Sequence, residues 1–245
     1  MRTVTAAGGR GGGPRGHRVQ DGPVVRNAPL FPGDVANFRD LAGTPAAGGR
    51  TVRPHRLLRS SALVAPAPHT ADALVSLLGP AVYADLRTDR EIDRDGAPEA
   101  LVERGWRWLR IPVQDLPDDR TRRETAADRY RRSMPACLRA AESVAAELVG
   151  GPVVVACSLG KDRTGTVVAL LLRWLGVPPE HIASDHELSN EWLARDRALL
   201  PQRWRDGGEI GRVRGADCLA AIDLAAPPRP GVGEEHAPLR SALLR

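Results

Sequence analysis

Lysine and aromatic residues are scarce in this sequence. Of its 35 basic residues 34 are arginine, and Lys161 is the only lysine. Phenylalanine, tryptophan and tyrosine make up 4% of the 245 residues, so alanine, valine and leucine must fill the core. The length and the hydrophobic content of 42% predict one domain. Because no basic stripe is interleaved with aromatics, the net charge of +5 favours anionic ligands but does not indicate nucleic-acid binding.

Cysteine is also rare. Cys137, Cys157 and Cys218 are far apart and lack Cys-x-x-Cys spacing, which argues against a disulfide framework and a zinc ribbon and predicts a reducing, cytoplasmic setting. His181 and His186 do not have the spacing of a helical metal pair, and we expect neither a metal nor a cofactor. No apolar run is long enough to predict an integral membrane segment.

Composition changes twice along the chain. Residues 1–26 are rich in glycine and arginine and offer little surface to bury, which predicts a disordered arm. Residues 226–245 begin with a proline- and glycine-rich stretch and are expected to form a flexible tail. The domain is therefore expected over residues 27–225.

Strand patterns alternate with helix patterns in that domain. Strands are expected at 81–86, 106–113 and 152–156. Helices are expected at 70–78, 122–149 with a break near Pro135, 164–175, 179–186, 190–200 and 215–224. Such alternation predicts a mostly parallel sheet covered by helices.

The stretch CSLGKDRTG, residues 157–165, lies between a predicted buried strand and a predicted buried helix. Backbone N–H groups in such a turn can point inward, and the start of a helix adds positive potential, so an anion would bind there. Arg163 supplies a planar fork for two phosphate oxygens, and Gly160 relieves the crowding of a tight loop. The same field favours the thiolate of Cys157 at neutral pH.

A thiolate beneath a cradled phosphate is aligned for in-line attack on phosphorus, which predicts a phosphocysteine intermediate and no metal. The reaction also needs an acid for the leaving oxygen. Asp162 has two open roles, as that acid or as an acceptor that holds the loop. Asp115, Asp118 and Asp119 are expected to be exposed, with a mobile acid among them as the alternative. Thr164 is expected to donate a hydrogen bond to the thiolate.

The stretch at 157–165 resembles the signature loop of cysteine-dependent phosphatases, and is most similar to that of the bacterial tyrosine/serine protein phosphatases. The resemblance extends over about residues 28–200, in the family's order. It is carried by four further segments, NFRDLAG at 37–43, RLLRSSAL at 56–63, DLRTDRE at 85–91 and ASDHELSN at 183–190.

This resemblance implies a fold like that of protein tyrosine phosphatases, with four to five strands flanked by helices. It implies a metal-independent phosphoric monoester hydrolase whose partners are phosphotyrosine proteins or peptides, with dual specificity left open. Catalysis is expected from Cys157 as nucleophile, Arg163 as phosphate clamp and Asp162 as acid. Substrate binding is expected from Ser158, Leu159, Gly160, Lys161 and Thr164.

Two alternatives stay open at this point. The family usually has histidine before the nucleophile, and Ala156 stands there, which leaves room for a phosphate-binding pseudophosphatase. The single lysine lies inside the loop, and its Gly-Lys-Asp-Arg sequence resembles loops of phosphatases that accept phosphoinositides. His186 stands where the family tends to have tyrosine. The buried arginines are expected to be structural ion-pair partners, namely Arg39, Arg59 and Arg87.

Overall fold

The computed structural model describes residues 35–114, 125–200, 202–206, 210–225 and 236–245. Within these residues, five strands form one sheet in the order β1-β2-β5-β3-β4. The strands are β1 (Arg39–Asp40), β2 (Leu57–Ser60), β3 (Val82–Asp85), β4 (Arg107–Arg110) and β5 (Val153–Ala156). β1 pairs antiparallel with β2, and the other neighbours are parallel. The predicted α/β fold with a mostly parallel sheet of four to five strands is confirmed.

Helices cover both faces of the sheet. They are α1 (Pro68–Leu78), α2 (Asp89–Asp95), α3 (Glu99–Val102), α4 (Ala126–Gly150), α5 (Asp162–Trp174), α6 (Pro179–Arg195), α7 (Gln202–Arg205), α8 (Gly215–Ala225) and α9 (Ala237–Leu243). Two short 3-10 helices lie at Ala47–Gly49 and Arg197–Leu199. No helix in the described part of the chain combines the length and hydropathy that crossing a membrane requires.

The central strand β5 is buried along its whole length because both faces of the sheet are covered. Val153 and Val155 point into a core formed with α4, α5, α8 and α9. Val154 and Ala156 point into a second core on the other face, where Leu74 of α1 packs. An uninterrupted apolar run is therefore what this strand requires.

Helix α4 runs unbroken through Pro135, so the predicted break there is wrong. Thr125 begins the helix with a capping box, accepting from the N–H of Asp128 while the Asp128 carboxylate accepts from Thr125. Pro135 lies on the exposed side, while residues such as Met134 and Cys137 pack into the core. Burial of one face of the 25-residue helix offsets the hydrogen bond that proline removes.

Helix α6 is also continuous, where the sequence predicted two helices over 179–186 and 190–200. Its last turn is followed by the 3-10 turn Arg197–Leu199, so the second predicted helix is the end of α6 and this turn. No glycine or proline interrupts residues 180–195, which explains why one helix spans both patterns.

The last ten residues differ from the predicted flexible tail. Helix α9 packs on the core through Leu239 and Leu243, which are four apart and share one helix face. The N–H of Arg53 donates to the carbonyl of Leu243, and Thr51 and Arg245 exchange two backbone hydrogen bonds. The proline and glycine content that predicted flexibility belongs to residues 226–235, which lie outside the described residues, as does the predicted arm.

Replacing Gly215 with alanine is expected to destabilise the protein. A Cβ built at Gly215, at the start of α8, would lie 2.5 Å from Cβ and 2.6 Å from Cα of Ala183 in α6. Overpacking of this kind costs about 1–3 kcal/mol of unfolding free energy, which urea denaturation measures. Gly150→Ala is the matched control, because a Cβ at Gly150 meets nothing within 4 Å. Equal unfolding free energies for the two variants would contradict this packing.

Candidate active site

The loop formed by residues 157–161 joins the end of β5 to the start of α5. Ala156, the last residue of β5, lies between Ser60 of β2 and Asp85 of β3 in the register of the sheet. The carboxyl ends of three parallel strands therefore meet at this loop, the position at which open α/β sheets place their ligand sites. The predicted site residues are thus brought together at one edge of the sheet.

Gly160 lets the loop approach the sheet more closely than any side chain would allow. It has φ of 64°, and a Cβ at this position would lie 2.1 Å from the carbonyl oxygen of Ser60. Both its left-handed backbone and its contact with Ser60 require glycine.

Two side chains bind the loop's carbonyl groups from one side. Asn37 donates from Nδ2 to the carbonyls of Leu159 and Gly160, at 3.0 Å each. Arg59 donates from Nη2 to the carbonyls of Gly160 and Lys161, at 2.7 and 3.4 Å. Because the N–H of a trans peptide points away from its carbonyl, this arrangement turns the N–H groups of residues 160–162 to the opposite side. Successive N–H groups so aligned form a cradle for an anion.

Arg59 is in turn fixed by Asp185 of α6. One Asp185 oxygen accepts from Nη1 of Arg59 at 2.5 Å, and the other accepts from Nε of Arg39 at 2.8 Å. Burial raises the pKa of Asp185, but the two guanidinium groups outweigh burial and lower this pKa to about 2. Arg39 also donates to Oδ1 of Asn37. Asp185 therefore fixes both side chains that bind the loop, Arg59 directly and Asn37 through Arg39.

The prediction that Arg39, Arg59 and Arg87 are buried ion-pair partners is confirmed. Arg87 pairs with Asp85 at the end of β3, with Nη2 and Oδ2 2.7 Å apart. All three arginines are fully buried.

Arg163 lies in the first turn of α5, where its guanidinium forms a two-pronged ion pair with Glu91. Nη1 and Nη2 each donate to a different oxygen of Glu91 at 2.7 Å. Nη1 also lies 3.3 Å from the carbonyls of Leu86 and Val113. Burial raises the pKa of Glu91, but hydrogen bonds and charge from Arg163, together with the Ser158 hydroxyl, lower it well below its usual range. The sequence predicted phosphate oxygens as the partners of Arg163, and in the structure the Glu91 carboxylate binds its guanidinium.

The other predicted loop residues are also buried or half-buried at this edge. Cys157 is 3% exposed and forms no disulfide, and Ser158 donates its hydroxyl to Glu91. Leu159 packs with Leu193 of α6. Thr164 is buried, but its Oγ1 has no hydrogen-bond partner among the residues that the structure describes, so the predicted bond to the thiolate is not present.

Lys161 and Asp162 lie side by side where the loop enters α5. Nζ of Lys161 is 2.6 Å from the carbonyl of Gly211, to which it donates, and 3.3 Å from Oδ2 of Asp162. Oδ1 of Asp162 accepts from the hydroxyl of Tyr130 in α4 at 3.2 Å. The Asp162 side chain is 46% exposed, in contrast to its buried neighbours. The alternative acids Asp115, Asp118 and Asp119 lie outside the described residues.

A model of the tyrosine phosphatase family matches residues 33–222. The chain belongs to the tyrosine phosphatase family. Its enzyme class is that of the family, a hydrolase of phosphoesters. The matched residues lie within the predicted domain, 27–225.

Two curated relatives in the tyrosine phosphatase family show how much of the chain is shared. The triple specificity protein phosphatase PtpB of Mycobacterium tuberculosis is 32% identical over 202 residues, which cover 68% of this chain and 71% of the relative. A putative tyrosine-protein phosphatase of Cupriavidus necator is 32% identical over 179 residues, covering 64% of this chain and 61% of the relative.

A solved structure, that of P. aeruginosa TpbA, is similar with 15% identity and a TM-score of 0.39 over 61% of this chain and 89% of that chain.

Sequence reasoning did not assign roles to several residues that shape this candidate site. Glu91, Asn37 and Asp185 lie inside the three segments 85–91, 37–43 and 183–190 that carry the family resemblance. Because none of the three is adjacent in sequence to the loop, their position within these segments was the signal by which they could have been found. Tyr130 lies in no such segment, and only the fold brings it to Asp162.

His186 next to Asp185 predicts a loss of stability in mild acid. Burial and the neighbouring charge of Arg59 lower its pKa from 6.5 to about 4, and Nδ1 has no partner among the described side chains. The His186 imidazole is therefore protonated below pH 6.5 in the unfolded chain, but only below about pH 4 in the folded chain. Unfolding free energy is expected to fall by about 2 kcal/mol between pH 7 and pH 5.

Urea denaturation at both pH values measures this difference in unfolding free energy. The groups that face His186 are Arg39, Arg59, Tyr130, Asp162 and Asp185. His186→Gln is expected to remove most of the pH dependence. A slope that survives in this variant would show that another group causes it.

Proposed function

We propose that this chain is a protein-tyrosine phosphatase that works through a phosphocysteine intermediate on Cys157. The observation that carries the proposal is the orientation of the loop. Asn37 and Arg59 hold the carbonyls of residues 159–161, so the N–H groups face the side on which a phosphate would lie. Cys157 begins this loop at the carboxyl end of the central strand, within reach of an anion bound there.

In the proposed first step, Sγ of Cys157 attacks phosphorus in line with the bond to the leaving oxygen. The S–P bond forms, the P–O bond breaks and the leaving oxygen takes a proton from Asp162. In the second step, water attacks phosphorus, Asp162 takes a proton from that water, and phosphate leaves as the thiolate is restored. No metal takes part in either step.

Arg163 is the proposed phosphate clamp. Its guanidinium presents a fixed plane because Glu91 binds both terminal nitrogens along one edge. The phosphoryl group is proposed to bind two-pronged along another edge of the same plane, formed by Nε and Nη2. Glu91 thereby acts as a positioning residue for Arg163. Backbone N–H groups supply the remaining contacts, and the residues proposed to bind substrate are Ser158, Leu159, Gly160, Lys161 and Thr164.

Phosphotyrosine proteins or peptides are the proposed partners, with phosphoserine and phosphothreonine as further substrates. The relative from M. tuberculosis is named a triple specificity phosphatase, which supports a broad range for this chain. A cytoplasmic location is part of the proposal, and the three described cysteines, all without disulfides, are consistent with it.

Two other functions follow from named residues. Ala156 stands where the family usually has histidine, and its side chain is buried in the core beside Val154, which supports a pseudophosphatase that binds phosphate without turnover. Lys161 supports a phosphoinositide phosphatase of the same mechanism. The experiments below separate both from the proposed function.

Cys157→Ser is expected to lower turnover of an aryl phosphate by at least about a thousandfold, because the hydroxyl is a far weaker nucleophile at neutral pH. Phosphate release measures turnover, and phosphotyrosine-peptide binding to the variant is expected to persist. The parent enzyme is expected to keep full activity in EDTA and to lose it with vanadate. Loss of activity in EDTA, or a variant as fast as the parent, would refute the mechanism.

Acid quenching of the parent enzyme with a radiolabelled aryl phosphate is the control that addresses the pseudophosphatase. The proposed function predicts covalent label on Cys157 and none on the Cys157→Ser variant. Ligand binding without any covalent label would favour the pseudophosphatase.

Substrate preference tests the role of Lys161. Because its Nζ is bound by the carbonyl of Gly211, Lys161→Met is expected to lower kcat/KM for a phosphotyrosine peptide and a phosphoinositide by one common factor, about tenfold or less. For the parent enzyme and for the Lys161→Met variant alike, the phosphotyrosine peptide is expected to be a better substrate than the phosphoinositide. A loss confined to the phosphoinositide would instead assign Lys161 to its second phosphate and favour the lipid phosphatase.

A further inference from the structure

Three side chains from three helices form a hydrogen-bonded chain that ends at Asp162. The hydroxyl of Tyr130 in α4 lies 3.2 Å from Oδ1 of Asp162 in α5 and 3.1 Å from Nε2 of His186 in α6. The rings of Tyr130 and His186 also meet edge to face, with centroids 5.6 Å apart. Tyr130 is 4% exposed, whereas the Asp162 side chain is 46% exposed. A buried hydroxyl therefore binds a carboxylate at the surface of the site.

The partners fix the direction of these hydrogen bonds. A carboxylate only accepts, so the Tyr130 O–H donates to Asp162, and its oxygen is left to accept from Nε2–H of His186. His186 is neutral at neutral pH because burial lowers its pKa to about 4, which leaves Nδ1 as an acceptor. Gly165 approaches Nδ1 so closely that a Cβ there would lie 2.5 Å away, so no side chain at this position could intervene.

We propose that Tyr130, held by His186, is a positioning residue that keeps the carboxyl group of Asp162 directed toward the leaving oxygen of the substrate. The proposal rests on the role assigned to Asp162 under the proposed function. Oδ1 accepts from Tyr130, whereas Oδ2 has only the longer, 3.3 Å contact with Nζ of Lys161, so Oδ2 is the oxygen proposed to carry the proton donated to the leaving group. That proton returns to Asp162 from the attacking water, and the proton of Tyr130 does not move.

Without the Tyr130 hydroxyl, Asp162 keeps its contact with Lys161, whose Nζ is bound to the carbonyl of Gly211. This contact draws the half-exposed carboxylate toward residue 211. The short side chain then has one partner where it had two, and it spends less time in the geometry that proton transfer needs. The loss is expected to grow as the leaving group becomes a poorer one, because only poor leaving groups depend strongly on the acid.

The test compares kcat/KM for phenyl phosphate, a poor leaving group, with that for p-nitrophenyl phosphate, a good one. Tyr130→Phe is expected to lower the value for phenyl phosphate by about tenfold and that for p-nitrophenyl phosphate by about twofold or less. The ratio of the two is independent of how much variant protein is folded. Equal losses on both substrates, or no loss on either, would overturn the proposal.

The matched control is the only other tyrosine in the chain. Tyr83 is equally buried, and its hydroxyl accepts from the N–H of Leu63 rather than binding an acid. Tyr83→Phe is expected to leave the ratio between the substrates unchanged, whatever its effect on stability. A change of ratio in this control equal to that in Tyr130→Phe would count against a specific role for Tyr130.

Asp162→Asn separates failure of the inference from failure of its premise. If this variant loses phenyl phosphate turnover selectively and Tyr130→Phe does not, Asp162 remains the acid and the role of Tyr130 is refuted. If Asp162→Asn shows no selective loss, the assignment of the acid fails and the inference falls with it. The double variant is expected to lose no more selectivity than Asp162→Asn alone, because both changes remove one function.

Discussion

The carboxylate of Asp185, held between two buried arginines, makes the interaction on which the rest of the site depends. Taking three charged groups out of water is costly, and the pairing of Asp185 with Arg39 and Arg59 offsets that cost. The benefit lies in position rather than in stability alone. Asp185 holds Nη1 of Arg59 while Nη2 donates to the loop carbonyls, and an unpaired Arg59 would be a buried charge without compensation.

Asn37 extends this arrangement to the other half of the loop. Its backbone is left-handed, with φ of 54°, a conformation that asparagine tolerates better than most residues. Its N–H donates to Asp196, and its side-chain oxygen accepts from Arg39. The side-chain amide is thereby left to donate both of its hydrogens to the loop. One short segment before β1 thus completes a support whose other members lie on β1, β2 and α6.

The sequence allowed the fold class and the position of the loop to be predicted, because both depend on local patterns. The apolar run at 153–156 indicates a buried strand, and the glycine at 160 indicates a tight turn. The predicted break at Pro135 was wrong because a proline removes a hydrogen bond locally, whereas the packing that offsets this loss is spread along the whole of α4 and cannot be read from the residues around Pro135. The partners of Arg163 and Asp162 were missed for a related reason. Glu91 and Tyr130 are 72 and 32 residues away in sequence, and only the order of strands and helices brings them together.

Helix α6 carries more than one contact with the site. Near its middle, Asp185 fixes the arginines that hold the loop, and five residues later Asn190 exchanges two hydrogen bonds with Val213. The segment that contains Val213 also supplies the Gly211 carbonyl bound by Lys161. Since one uninterrupted helix joins these points, it sets the distance between the loop at 157–161 and the segment at 210–214. A shift of α6 would therefore displace this loop and this segment together, so the two sides of the site cannot move independently of each other.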